Sequence, residues 1–158
     1  MRSSEGWDEA AREYLRERFG VEALPGKVVE RARGLWLTTA DLIPRGVRVH
    51  SVGVRLFYLQ GRGLKPTSLG LSLLAGEIRR NRVEVDLAEL EWLLLGHAVE
   101  RPEAPEGYVA IVYRGDVIGC GRVKGGKLSA EISKARRREL LAALPAEKRR
   151  EGGAHHGS

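Results

Sequence analysis

The sequence predicts an α+β fold, and three observations support this prediction. Residues 7 to 19 carry apolar side chains at helical spacing, residues 27 to 60 are rich in β-formers, and residues 108 to 144 have the pattern of three short strands followed by a helix. A chain of 158 residues suits one domain or two small ones and is long enough to bury a real hydrophobic core. We therefore expect an N-terminal α+β portion followed by a portion built around a β meander.

The N-terminal portion is predicted to begin with an amphipathic helix over residues 7 to 19. The apolar residues of this stretch recur every three or four positions, and Gly20 follows as a C-terminal stop. Residues 27 to 39, KVVERARGLWLTT, are predicted to be extended, with a turn at Gly34. A helix that packs against strands is therefore expected at the start of the chain.

The strand pattern continues from residue 47 to residue 60. Gly53 interrupts this stretch, and a bulge is expected there. Residues 61 to 68, GRGLKPTS, are predicted to form a basic turn. The β-branched or apolar positions of the strand pattern are Val47, Val49, Val52, Val54 and Leu56.

Two helix starts follow. Thr67 or Ser68 can cap a helix over residues 69 to 81, because either hydroxyl can accept from the first backbone N–H groups. Residues 82 to 86 are typical of a short strand, and Asp86 is predicted to cap the next helix. The leucines expected on one side of that helix are Leu87, Leu90, Leu94 and Leu95.

A proline-containing linker over residues 100 to 107 is expected to lead into a three-stranded meander. Ser133 is predicted to cap a closing helix over 134 to 144, which docks through its leucines and turns its arginines outward. Residues 146 to 158 are predicted to be a disordered tail. The meander is predicted as a strand over 108 to 114, a turn at Gly115 and Asp116, a strand over 117 to 123, a turn over 124 to 127 and a strand over 128 to 132.

Composition favours a basic protein that is not embedded in a membrane. The net charge is +6 and the isoelectric point is near 9.8, which favours polyanionic partners. No apolar run approaches the roughly 20 residues that cross a bilayer, and no signal-peptide pattern is present, so we expect a cytoplasmic protein. One Asn and one Gln beside plentiful Arg and Glu are typical of proteins from thermophiles, although genomic base composition can produce the same bias.

No catalytic, cofactor or metal site is predicted. The stretch from Gly121 to Lys127 fits a phosphate loop, but Leu128 stands where a magnesium-binding hydroxyl is needed, and a hairpin is expected there. Cys120 is the only cysteine and is expected to be a small buried hydrophobic side chain. The four histidines have no metal-ligand spacing.

The basic residues are the candidate binding site. They cluster around the second hairpin and at the start of the closing helix, where backbone N–H groups and guanidinium groups can donate to the same phosphate. The alternative is a solvated charged surface. The candidate phosphate contacts are Lys65, chosen on charge alone, together with Arg122, Lys124, Lys127, Lys134, Arg136, Arg137 and Arg138. Tyr113 is a candidate for stacking on a base.

Two stretches, RVEVDLAELEWLLLG from residue 82 and GYVAIVYRGDVIGCGRVKGGKLSAEISKARRREL from residue 107, resemble a known family. They are similar to the PUA-like domain found at the C-terminus of Nop/Sun family RNA cytosine-5 methyltransferases and in some stand-alone ribosome-biogenesis proteins. A weaker similarity covers residues 63 to 74. The resemblance implies a mixed β pseudo-barrel with flanking helices over residues 82 to 145, after an N-terminal α+β domain over 1 to 81.

The resemblance implies a non-catalytic protein that binds structured RNA and acts in the modification or maturation of ribosomal or transfer RNA. An RNA methyltransferase or a ribosome assembly factor would be a further partner. The methyltransferases use a pair of cysteines and a cofactor-binding domain, for which this chain has too few residues. Two alternatives remain: a protein-interaction module in ribosome biogenesis that makes no RNA contact, and an enzyme acting on RNA with Cys120 as its nucleophile.

Overall fold

The computed structural model of the protein describes residues 4–38, 53–61 and 63–156, with side chains described over 6–38, 53–61 and 63–147. The predicted strand positions Val47, Val49 and Val52 lie outside these residues. The helices are α1 (Ser4–Phe19), α2 (Ser68–Leu73), α3 (Leu87–Leu94) and α4 (Lys134–His156), with a 3₁₀ turn at Ala75–Glu77. The strands are β1 (Lys27–Arg31), β2 (Gly34–Thr38), β3 (Val54–Gln60), β4 (Gly63–Pro66), β5 (Arg82–Glu84), β6 (Val99–Glu100), β7 (Gly107–Tyr113), β8 (Asp116–Lys124) and β9 (Lys127–Ala130).

The strands form two sheets, and the α+β prediction is confirmed. The first sheet has the order β1-β2-β3-β4, and all its neighbours are antiparallel. The second sheet has the order β5-β7-β8-β9-β6, in which β5 pairs with β7 in parallel and the other pairs are antiparallel. This second sheet is a curled half-barrel flanked by helices.

The central part of β7 is buried on both faces, which explains its continuous apolar run. Ala110 and Val112 face a core shared with α1, α2 and the first sheet. Val109 and Ile111 face the other core, which α3 and α4 cover. A strand covered on both sides needs apolar residues at every position. The first core therefore contains side chains from both sides of the domain boundary that the sequence predicts at residue 81.

Three predicted helix ends are confirmed, one by its backbone conformation and two by capping hydrogen bonds. Gly20 follows α1 with a positive φ of 71°, a conformation that glycine adopts without strain. The Thr67 hydroxyl accepts from the Gly70 N–H at 2.9 Å and caps α2. Asp86 and Glu89 form a reciprocal capping box at the start of α3. These helices begin where a neighbouring side chain accepts from free backbone N–H groups, or end where a glycine adopts a positive φ.

Two turns lie one or two residues earlier than predicted. The β1–β2 turn consists of Ala32 and Arg33, and Gly34 already belongs to β2. The β7–β8 turn consists of Arg114 and Gly115 rather than Gly115 and Asp116. In each turn both central residues have positive φ values, as a two-residue hairpin whose twist matches its strands requires.

Other local predictions are corrected by pairing between distant segments. The predicted basic turn contains β4, and β6 lies at the start of the predicted linker. The bulge predicted at Gly53 lies instead at Leu56 in β3. Leu35 pairs with Phe57 and Trp36 pairs with Arg55, so the register passes over Leu56. Leu93 is buried in the core, whereas Leu95 is half exposed.

The α4 backbone is helical to His156, although the sequence predicts a disordered tail over 146 to 158. The residues just after Pro145 are Ala, Glu, Lys and Arg, which are strong helix formers, so the helix continues past the proline. None of the helices in the described part of the chain is both long and apolar enough to cross a bilayer.

Candidate nucleic-acid interface

A groove of about 690 Å³ lies between the edge of the first sheet, the start of α2 and the connection from β9 to α4. Lys65 on β4 and Arg136 on α4 both line it, although they are far apart in sequence. Tyr58, Ser68 and Ser133 contribute further polar groups. The fold thus brings two of the predicted cations together in one groove.

The α4 end of the groove begins with the predicted cap. Ser133 Oγ accepts from the Arg136 N–H at 3.2 Å, which confirms this cap, and the first turn of α4 contains no acidic residue. Lys134, Arg136 and Arg138 are exposed there. Arg136 also forms an ion pair with Glu139 at 2.9 Å, but exposed pairs of this kind are weak. This end of α4 therefore presents three cations beside a helix N-terminus.

Lys65 already has an anionic partner. Its Nζ lies 2.9 Å from Glu131 Oε2, and about a quarter of each side chain is exposed. The hydrogen bond to Glu131 raises the pKa of Lys65, so the ammonium stays charged at neutral pH. A phosphate that binds Lys65 has to compete with this carboxylate. Sequence reasoning did not identify Glu131 because only the fold brings it to Lys65.

The hairpin cations lie elsewhere. Arg122, Lys124 and Lys127 share one face of the second sheet, because Lys124 pairs directly with Lys127 and Arg122 alternates with Val123. Val123 faces the core that α4 covers, so the three cations lie on the opposite face from that helix. The Arg122 guanidinium stands 5.9 Å from the Tyr108 ring centroid. We call Arg122, Lys124 and Lys127 the hairpin patch.

Two predicted contacts are placed differently from the rest. Arg137 is half buried and packs on Gly96, where an added Cβ would lie 3.1 Å from its Nη1. It therefore faces the end of α3 rather than the groove. Tyr113 is 7% exposed and lies in the core with α4, so its predicted role in stacking on a base is wrong.

Partly exposed aromatic and arginine side chains on the outer face of the first sheet were not predicted as binding residues. Trp36 and Tyr58 flank Arg55, whose guanidinium carbon is 4.8 and 4.9 Å from the two ring centroids. Their alternation with buried neighbours such as Leu37 and Phe57 is the sequence signal that could have identified this face.

Cys120 is fully buried, as predicted. Burial raises the pKa of its thiol to about 12, so the nucleophilic thiolate is scarce at neutral pH. The predicted hairpin in the glycine-rich stretch is confirmed, since Gly125 and Gly126 form the turn between β8 and β9. Within the described ranges, no three His, Cys, Asp or Glu side chains are grouped as metal ligands would be.

Comparison with protein-family models gives no match to this chain, and comparison with curated proteins gives no significant match. The similarity to PUA-like domains therefore stays a prediction from the residues quoted above.

Proposed function

We propose that this protein is a non-catalytic, cytoplasmic RNA-binding protein that acts on structured ribosomal or transfer RNA during its modification or maturation. The observation that carries the proposal is the groove in which Lys65 and Arg136 meet beside the start of α4. Lys134 and Arg138 extend its positive charge over the exposed side of the same helix turn.

The chemistry of this groove suits a phosphate backbone. Guanidinium and ammonium groups form charge-assisted hydrogen bonds with phosphate oxygens, and a helix N-terminus adds backbone donors and a partial positive charge. The net charge of +6 supports long-range attraction to the same ligand. RNA is favoured over DNA by the resemblance to PUA-like domains.

The hairpin patch supplies a second basic surface. Its three cations share the face of the second sheet on which Cys120 contacts the core with α2 and the first sheet, opposite the face that α4 covers. A folded RNA that reaches both sides of this sheet would contact the hairpin patch and the cations at the start of α4. An RNA methyltransferase or assembly factor would then act on the bound RNA.

The absence of catalysis is also part of the proposal. Cys120 is the nucleophile that the enzyme alternative requires, and its buried thiol with a raised pKa is poorly suited to that role.

A specific observation supports the protein-interaction alternative. Leu69 and Leu73 of α2 are exposed by 65% and 50%, and Leu69 borders the groove. Neighbouring apolar side chains on one short helix are typical of a protein contact. In that case the basic residues would only keep the surface hydrated.

Titration of the full chain with labelled transfer RNA and with duplex DNA, across a salt series, tests the proposal. Each phosphate contact contributes roughly 0.7 to 0.9 to the slope of log affinity against log salt, so about five contacts predict a slope near −4. We expect the transfer RNA to bind more tightly than the duplex. Equal, weak binding to both would contradict the proposal and favour a protein partner.

A further inference from the structure

One face of the first sheet carries a ladder of alternating cations and aromatic rings. The Arg31 guanidinium lies 5.1 Å from the Trp36 ring centroid, and Arg55 lies 4.8 Å from the same ring and 4.9 Å from Tyr58. Lys65 on β4 pairs directly with Tyr58 and continues the series. We call Arg31, Trp36, Arg55, Tyr58 and Lys65 the ladder. It crosses all four strands.

The pairing register places these groups on the face away from the core. Trp36 alternates with Leu35 and Leu37, both of which are fully buried. Tyr58 follows the fully buried Phe57 and is itself 43% exposed. A large aromatic side chain with this exposure leaves part of its ring accessible to a ligand.

Arg55 is held in place between the two rings. A Cβ on Gly34 would lie 2.8 Å from the Arg55 Nε and 3.2 Å from its Cδ, so the side chain fits only because residue 34 has none. The Nε is buried and makes no hydrogen bond. The guanidinium plane is thus positioned before any ligand binds, which lowers the ordering cost of binding.

The charge on this face is positive. Among the described residues of β1 to β4, the outward positions fixed by the register include Lys27, Arg31, Arg55 and Lys65 and no carboxylate. Glu131, which follows the end of β9, contacts this face through its ion pair with Lys65. The face therefore complements an anionic ligand that also has flat apolar surfaces.

We propose that the ladder is a stacking platform for the bases of a single-stranded RNA segment. Unpaired bases stack on aromatic rings and on guanidinium planes, while cations between them hold the phosphates. Three interstrand spacings of about 4.8 Å make the sheet about 14 Å wide, which suits two or three nucleotides. The inference deepens the proposed function, because Tyr58 and Lys65 also line the groove and a single strand leaving a folded RNA would pass onto the ladder.

The test uses the full chain with two labelled probes of about a dozen nucleotides, which differ only in whether they carry bases. One is an oligouridylate and the other is an abasic ribose-phosphate oligomer of equal length. The variants are Trp36→Ala and Tyr58→Ala. Trp92→Ala is the matched control, because Trp92 is half exposed on α3 and stacks on His97 at 4.0 Å, away from the first sheet. Circular dichroism establishes that each variant is folded. Quenching of Trp36 fluorescence in a Trp7→Phe, Trp92→Phe background, in which Trp36 is the remaining tryptophan, measures stacking without altering the ladder.

We expect the oligouridylate to bind about tenfold more tightly than the abasic oligomer. Each ladder variant should lose most of that difference, the control should keep it, and uridine should quench Trp36. Equal binding of the two probes, ladder variants that keep the preference, or equal binding of a polyglutamate peptide would overturn the platform. If the platform is overturned but transfer RNA still binds with a steep salt slope, RNA binding through the groove is retained and only the stacking platform is rejected. Failure of every RNA to bind would remove both.

Discussion

Ser68 joins the start of α2 to the second sheet through the backbone of Cys120. Its hydroxyl oxygen accepts from the Cys120 N–H at 2.9 Å and donates to the Glu131 carbonyl at 3.0 Å. The Glu131 N–H in turn donates to the Cys120 carbonyl at 2.7 Å. One side chain at the start of α2 thus fixes the end of β9 just before the start of α4. This connection positions the groove between Lys65 and Arg136.

Removal of the Ser68 hydroxyl should destabilise the protein. Ser68→Ala leaves the buried Cys120 N–H without its acceptor, which costs about 1 to 3 kcal/mol in the free energy of unfolding. Urea denaturation measures the loss. Ser72→Ala is the matched control in the same helix, because the Ser72 hydroxyl makes only a long bond of 3.4 Å to Val117. Equal effects of the two substitutions would contradict the role given to Ser68.

Gly121 is required for packing between β8 and the core. A Cβ at this position would lie 2.8 Å from Ile111 Cγ1 and 2.9 Å from Leu128 Cδ1. Gly121→Ala should therefore cost about 1 to 3 kcal/mol through overpacking, measured by thermal or urea unfolding. Gly63→Ala, also within a strand, meets nothing closer than 3.6 Å and should change stability little. A neutral Gly121→Ala would show that the core is looser than described.

Asp8 should make stability depend on pH in the acid range. Its carboxylate accepts from Arg12 Nε at 2.7 Å and from the Val28 N–H at 2.9 Å, which joins α1 to β1. Burial alone would raise the pKa of Asp8, but these hydrogen bonds outweigh it and lower the pKa. A lowered pKa gives stability that is present above the unfolded value of about 4 and lost as the pH falls through the folded value.

Asp8→Asn should therefore reduce the free energy of unfolding by about 1 kcal/mol at neutral pH, and the difference from wild type should shrink below about pH 4. Urea unfolding of both proteins at neutral pH and below about pH 4 measures this difference in the free energy of unfolding. Glu17→Gln, an exposed change on the same helix, should show no such convergence. A difference that stays constant with pH would contradict the assignment.

The Cys120 thiol should be unreactive in the folded protein. Because burial raises its pKa to about 12 from an ordinary value of 9.0, iodoacetamide labelling should stay slow even near pH 9. In urea the unfolded chain should label rapidly, so the native rate should follow the rate of opening. Mass spectrometry measures both rates. Rapid labelling of the native protein would revive the enzyme alternative.

Features that depend on neighbouring residues could be predicted from the sequence. The Asp86 cap, the Thr67 cap and the two-glycine turn after Lys124 each arise within three or four positions. The short strands β4 and β6 could not be predicted, because a segment of two to four residues becomes a strand only when a distant partner pairs with it.

The candidate site was predictable to a similar extent. Charge clustering identified the α4 cations, but sequence spacing could not show that Arg137 packs on Gly96 while Arg136 faces the groove. The pairing of Lys65 with Glu131 depends on tertiary contacts between β4 and the end of β9. The ladder required the register of four strands, which includes the irregularity at Leu56.

The most direct test of RNA binding compares two triple neutralisations of the full chain. One is Lys134→Gln, Arg136→Gln and Arg138→Gln, which removes the exposed cations at the start of α4 and retains Arg137. The control is Arg16→Gln, Arg79→Gln and Arg114→Gln, which removes the same charge from exposed positions outside the groove.

Affinity for labelled transfer RNA is measured for both across a salt series. The α4 variant should weaken binding and reduce the salt slope by roughly 2 to 3, because three phosphate contacts are lost, while the control keeps most of the slope. Equal losses in the two variants would show that only net charge matters and would contradict a binding site at the start of α4.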